Sequence, residues 1–297
     1  MLPIQVISAA SVLGLKPTGV EKLPESLLSH RLSQRLNIRH PIIKVPVLNS
    51  KYDFNRDSVT SCLNAPAIRQ FSITLGKHLT TVLDKNYFPL VLGGDCSILI
   101  GILSALKVRG AYGLIFYDAH ADFYQPEKSI TGEVADMDLA IVTGRGPDIL
   151  TNIDDLHPYV ADKHVIHIGQ RDWEETRKYG SQDIRETVIQ RFDHESINKS
   201  GIPRSIQKIT QAMNAMNVDG FWIHFDTDVL SDEENPAVDY KLPGGLSSEQ
   251  CELLLKAALS TNKIIGMTLT IFNPKLDDEQ GTVAKVLTNL ISRSFKG

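Results

Sequence analysis

The 297-residue chain has little cysteine: Cys62, Cys96 and Cys251 are its only three, and they are far apart. No CxxC pair and no disulfide framework can be drawn from them, and a reducing, cytoplasmic setting fits best. Positive charge is not in excess either, since 31 Lys and Arg face 35 Asp and Glu for a net charge of −4. A nucleic-acid binder normally carries a basic surplus, so none is expected here. No run approaches ~18 continuous apolar residues, which argues against a membrane span. The opening Met1-Leu2-Pro3-Ile4-Gln5-Val6 has no basic n-region and no long apolar h-region, so the expectation is a soluble intracellular protein without a leader. Repeats, low-complexity tracts and long Pro/Gly/Ser linkers are also missing. One domain spanning 1–297 is therefore expected, with a sizeable core.

What is present is alternation. Short apolar runs, at Ile4–Ser8, Ile42–Val47, Phe88–Leu92, Tyr112–Tyr117, His164–Ile168, Phe221–Phe225 and Ile264–Leu269, read as strands. They are β-branched or aromatic and seldom interrupted by polar residues, as strands buried on both faces are. Helix-like segments fall at Pro24–Leu36, Ala67–Leu83, Ile98–Val108, Met137–Thr143, Pro203–Met216, Ser248–Leu259 and Gln280–Ser292. The order predicts an α/β fold with a mainly parallel sheet and helices on both sides.

Ligands of open α/β sheets bind beyond the carboxyl ends of the strands. Three polar clusters fall at that edge. Gly93-Gly94-Asp95-Cys96-Ser97 follows the third run, Asp118-Ala119-His120-Ala121-Asp122 the fourth and Asp226-Thr227-Asp228 the sixth. Aspartate disfavours strands, and its carboxylate is costly to bury unpaired. Several carboxylates at neighbouring strand ends repel one another unless something positive sits between them, and a pair of divalent cations answers that need. Alternation with alanine puts Asp118, His120 and Asp122 on one side of an extended segment. One histidine and two carboxylates suit Mn2+, Fe2+ or Zn2+. Paired glycines give a tight turn, Ser97 suits a helix cap, and Asp95 reads as a carboxylate holding loop N–H groups. Cys96 is either a small buried hydrophobe or a ligand.

The ordered set GGDCS, DAHAD and FDTD resembles the arginase–agmatinase–formiminoglutamase family, the ureohydrolases. The likeness extends to Gly14–Pro17, Gly19–Pro24, Ile168–Asp172, Pro236–Asp239, Gly244–Ser247 and Asn273-Pro274. It implies a three-layer αβα sandwich around an eight-stranded sheet, two Mn2+ per subunit and a small guanidino or amidino substrate. It also implies a homo-oligomer, a trimer or hexamer. By motif position, one metal takes Cys96, Asp118, Asp122 and Asp226, and the other Asp118, His120, Asp226 and Asp228. A metal-bridging hydroxide then attacks the guanidino carbon, and Asp122 carries the proton to the leaving amine.

The chain departs from the family pattern at several places. Cys96 replaces the usual histidine of GGDHS, which favours Zn2+ or Fe2+ more than imidazole does. Ala135 stands where arginases have a shuttle histidine, and Glu133 and Asp136 would repel a substrate carboxylate. A cationic guanidine fits that loop better than arginine. The glutamate that clamps a guanidinium becomes Gln250, with Glu249 one residue earlier, and the loop that grips the substrate's amino group offers Asp172. His224 shares a strand face with Asp226 and reads as a core histidine, or as a partner orienting a ligand. These changes motivate an alternative, a non-catalytic or regulatory relative with a degraded substrate site. A zinc deacetylase-type amidohydrolase is less well supported, because the His-His pair of that family is missing.

Overall fold

The computed structural model describes residues 2–47 and 52–296. Eight strands form one sheet in the order β2-β1-β3-β8-β7-β4-β5-β6. They are β1 Ile4–Ala9, β2 Ile43–Lys44, β3 Phe88–Gly93, β4 Tyr112–Tyr117, β5 Val165–Ile168, β6 Gln190–Phe192, β7 Gly220–Asp226 and β8 Ile264–Thr270. Every pairing is parallel. All residues of β3 and β7 are buried, as the mainly apolar text of both predicts, although β7 carries His224 in its middle.

Alternate side chains of each strand feed opposite cores. Val91, Leu114, Phe116 and Trp222 pack against α3 (Ala65–Asp84) and α4 (Ile98–Lys107) on one face. Leu90, Ile115, Tyr117 and Ile223 pack on the other against α9 (Ile202–Ala215), α10 (Ser248–Ser260) and α11 (Thr282–Ser294). Three layers, αβα, result. Among the described residues no helix is long and apolar enough to cross a membrane.

Three readings of the sequence need correction. The single helix expected over Pro24–Leu36 is two, α1 Leu23–Ser29 and α2 Leu32–Arg35, because Arg31 between them adopts a left-handed φ of 68°. The strand expected over Ile42–Val47 shrinks to an edge pair beside β1. The edge strand β6 was not anticipated, because Gln190-Arg191-Phe192 carries only one apolar residue. Among the described residues, four further α-helices are short, α5 Asp138–Val142, α6 Asp148–Thr151, α7 Trp173–Tyr179 and α8 His194–Ser200, and several single 3-10 turns accompany them.

Candidate metal centre

The carboxyl ends of β4 and β7 are adjacent, and β3 lies one strand beyond, across β8. The three polar clusters therefore converge. Gly94 is required at the end of β3, because a Cβ there would lie 1.7 Å from the Ser11 carbonyl oxygen. Asp95 Oδ1 accepts the Ser97 N–H at 2.9 Å, the turn-holding bond expected of it. Ser97 begins α4 without a side-chain cap bond, so the capping expected of it does not occur. Cys96 is turned inward, with Sγ 2.9 Å from Asp226 Oδ2 and 3.2 Å from Thr270 Oγ1.

Two groups of donors gather at the edge, each with its ligand atoms within 4.8 Å of one another. One is Cys96, Asp118, His224 and Asp226, and the other is Asp118, His120 and Asp228. Backbone bonds fix the carboxylates. Asp118 Oδ1 accepts the His120 N–H at 2.6 Å, Asp226 Oδ1 the Asp228 N–H at 2.8 Å and Asp228 Oδ1 the Ala119 N–H at 3.1 Å. His120 Nδ1 lies 2.8 Å from Asp228 Oδ2. Arg171 braces the loop after β7 by donating to the carbonyls of Asp228 at 2.9 Å and Leu230 at 3.2 Å. His167 Nε2 meets the His120 carbonyl at 2.8 Å and steadies the loop after β4.

Electrostatics identify what the cluster suits. Burial, then Asp228, raises the carboxyl of Asp118 to about 7. Burial, then Asp228 and Asp118, holds Asp226 well above the usual range. Asp228 alone of the three is lowered: burial raises it, but His120, the Ala119 N–H and Arg171 together bring it below its ordinary value. Burial, then Asp226, keeps the Cys96 thiol protonated, and burial holds His224 neutral at about 3. Asp118 Oδ2 is buried without a hydrogen-bond partner among the described residues. Carboxylates crowded around an orphaned oxygen, with one histidine for relief, are a donor set that fits divalent cations.

Asp122 does not join either group. Its φ of 46° takes it out of line with Asp118 and His120, against the one-sided arrangement expected from the spacing. Its carboxyl faces that of Asp138, whose oxygens have no other partner. Burial, then Asp118 and Asp138, raises Asp122 well above the usual range.

The cluster opens into a cavity of about 310 Å³. His120, Asp122, Asp226 and Asp228 line its inner end, and Glu133, Ala135, Asp136 and Asp172 its wall. Glu133 is paired: Tyr240 Oη donates to it at 2.7 Å and Lys16 Nζ lies 3.5 Å away. Ser129 donates to Asp136 at 2.7 Å, yet burial raises its carboxyl to about 7. Asp172 faces the cavity, but its oxygens accept from Ala121 N–H and Gln170 Nε2, both at 3.0 Å. Glu249 and Gln250 do not line it. Gln250 is occupied in a capping box, its Oε1 accepting the Ser247 N–H at 2.9 Å, and Glu249 is exposed. Asp239, Tyr240 and Lys241 do line it. The Pro236–Asp239 motif pointed near them without assigning them chemistry.

Fold and site together define a class, an α/β metal-dependent hydrolase with its centre at the carboxyl edge of a parallel sheet. The comparisons narrow this. The sequence model of the Arginase family matches residues 16–295. An arginase of Staphylococcus aureus (strain MSSA476) is 31% identical over 293 residues, covering 96% of this chain and 94% of that one. The native structure of Bacillus caldovelox arginase superposes with a TM-score of 0.87 at 26% identity, covering 100% of this chain and 99% of that one. Formimidoylglutamase from Bacillus subtilis shares the fold, with a TM-score of 0.75 at 16% identity over 100% of this chain and 87% of that one. The chain belongs to the Arginase family, and it is a hydrolase of C–N bonds.

Proposed function

We propose that the protein hydrolyses a guanidino or amidino C–N bond in a small molecule whose far end is cationic. The observation that carries this reading is the pair of ligand groups sharing Asp118 at the inner end of the cavity. Cys96, Asp118, His120, Asp226 and Asp228 would hold two cations per subunit, Mn2+ by family likeness, with Zn2+ or Fe2+ favoured by the sulfur. When bound, such a pair supplies a water that ionises near neutral pH and a positive field at the attacked carbon.

The chain's own groups do the rest. Asp122 lines the cavity beside the cluster and would take the proton and return it to the departing amine. Asp136 and Asp239 face the rest of the cavity, where an ammonium is attracted and a carboxylate repelled. Ala135 leaves room there and offers no proton.

Urea or ammonia release from agmatine, arginine, guanidinobutyrate and formiminoglutamate, each with Mn2+, Zn2+ and Fe2+, tests the proposal. Turnover of agmatine well above the three carboxylate-bearing compounds is expected. Silence on all four would overturn it. A second reading, a member that holds metal without turnover, draws on the commitment of Gln250 to the α10 cap. Full metal loading with no product would select it.

A further inference from the structure

His224 has no part in the reaction proposed above, and packing does not account for it. It lies in the middle of β7, fully buried, with its ring stacked on Phe116 at 4.8 Å between centroids. Its Nε2 is 3.3 Å from Cys96 Sγ and 3.3 Å from Thr270 Oγ1, while Nδ1 has no partner among the described residues. A buried histidine placed for packing is ordinarily satisfied at both nitrogens, and an orphaned polar atom costs about 1–3 kcal/mol. The other nitrogen, Nε2, faces the sulfur and gathers with the carboxylates of Asp118 and Asp226, all of them buried.

We propose that Cys96, His224, Asp118 and Asp226 form a mixed sulfur–nitrogen–oxygen cation position, in which the imidazole comes from β7 and not from the loop after β3. This rests on the reading that the cluster holds cations. The β3 loop and β7 face each other across β8, where Thr270 touches both Cys96 and His224, so a ligand from either side reaches the same point. Cysteine at one place and histidine at the other thus exchange donors without emptying the site. His224 takes the place that motif position gave to Asp122, which leaves Asp122 facing Asp138 and free to move a proton.

A thiolate with imidazole and two carboxylates is a four-donor set of the kind Zn2+ occupies, and soft ligands favour Zn2+ over Mn2+. Binding there displaces the Cys96 thiol proton to solvent. The other group, Asp118, His120 and Asp228, has no sulfur. The centre is therefore asymmetric, with a thiophilic cation at one position and a harder one at the other.

The test uses full-length protein stripped with a chelator and reloaded with Zn2+ or Co2+. Two cations per chain are expected. X-ray absorption of the unmodified Zn2+ protein should show a sulfur at about 2.3 Å and nitrogens at about 2.0–2.1 Å, with imidazole counted at both metals. The Co2+ protein should show a near-ultraviolet sulfur-to-metal charge-transfer band that Cys96→Ser abolishes. His224→Phe should weaken one of the two binding steps by at least ~10-fold and leave the other unchanged. Two bound cations with no sulfur ligand, or with imidazole at only one metal, would overturn the assignment and leave the proposed function standing. A chain that binds no cation would overturn both.

Discussion

Replacing Asp172 with asparagine separates two roles that the sequence and the structure assign differently. Family likeness gives Asp172 to the substrate's amino group. The structure has both of its oxygens already accepting, one from the Ala121 N–H and one from Gln170 Nε2, each at 3.0 Å. The first of these bonds holds the loop that carries His120 and Asp122. Asparagine keeps one acceptor and turns an N–H2 group towards the other donor. One hydrogen bond to a charged acceptor is lost, worth about 1.5–3 kcal/mol, and a buried donor is left facing a donor. At ~2 °C per kcal/mol for a chain of this size, the melting temperature should fall by roughly 3–6 °C. Cation affinity should fall with it, because the loop shifts. Thermal denaturation of the metal-free and metal-loaded protein, read beside KM, is the assay. An unchanged melting temperature with a sharply raised KM for a cationic substrate would refute the loop-holding role and restore the substrate contact.

Gly94→Ala should cost more than ~3 kcal/mol or prevent soluble expression, because the new methyl would meet the Ser11 carbonyl oxygen at 1.7 Å, and that oxygen is backbone and cannot swing aside; chemical denaturation measures it. Chelation should lower the melting temperature, since cations that bind only the folded chain add about 2.7 kcal/mol per site at a hundred times Kd; calorimetry with and without chelator checks this. Asp136, raised to about 7 by burial from an ordinary value of 3.8, keeps its proton in the folded protein up to a higher pH than in the unfolded chain. Its contribution to stability is full below about pH 4 and is lost as pH rises towards 7. Asp136→Asn should flatten the stability profile over that window, as read by melting temperature against pH, and should raise KM for a cationic substrate most at higher pH.

The parts of the molecule legible in the sequence were those set by local physics. The runs at β3, β4 and β7 are apolar, β-branched or aromatic, and too short for helices, so burial on both faces followed. The clusters at their ends then had to share one edge of the sheet. What could not be read depended on single dihedrals or on distant neighbours. The left-handed turns at Arg31 and Asp122 have no compositional signal, and the second of them takes a carboxylate out of its expected row. The pairing of Glu133 with Lys16 and Tyr240 joins segments far apart in the chain and moderates an acidity that the local sequence exaggerates. Gln250 looked like a substrate contact by spacing, but the same spacing makes it the third residue of α10, where it closes a capping box with Ser247. The approach of His224 to Cys96 spans 128 residues of sequence, and only the sheet order reveals it.

Anomalous diffraction from crystals loaded with Zn2+ or Mn2+ tests the central claim most directly. Two peaks are predicted at the carboxyl edge of β4 and β7, one among Cys96, Asp118, His224 and Asp226 and one among Asp118, His120 and Asp228, with Asp122 beside them and unligated. A cluster without peaks at saturating metal, its carboxylates holding protons instead, would contradict the account.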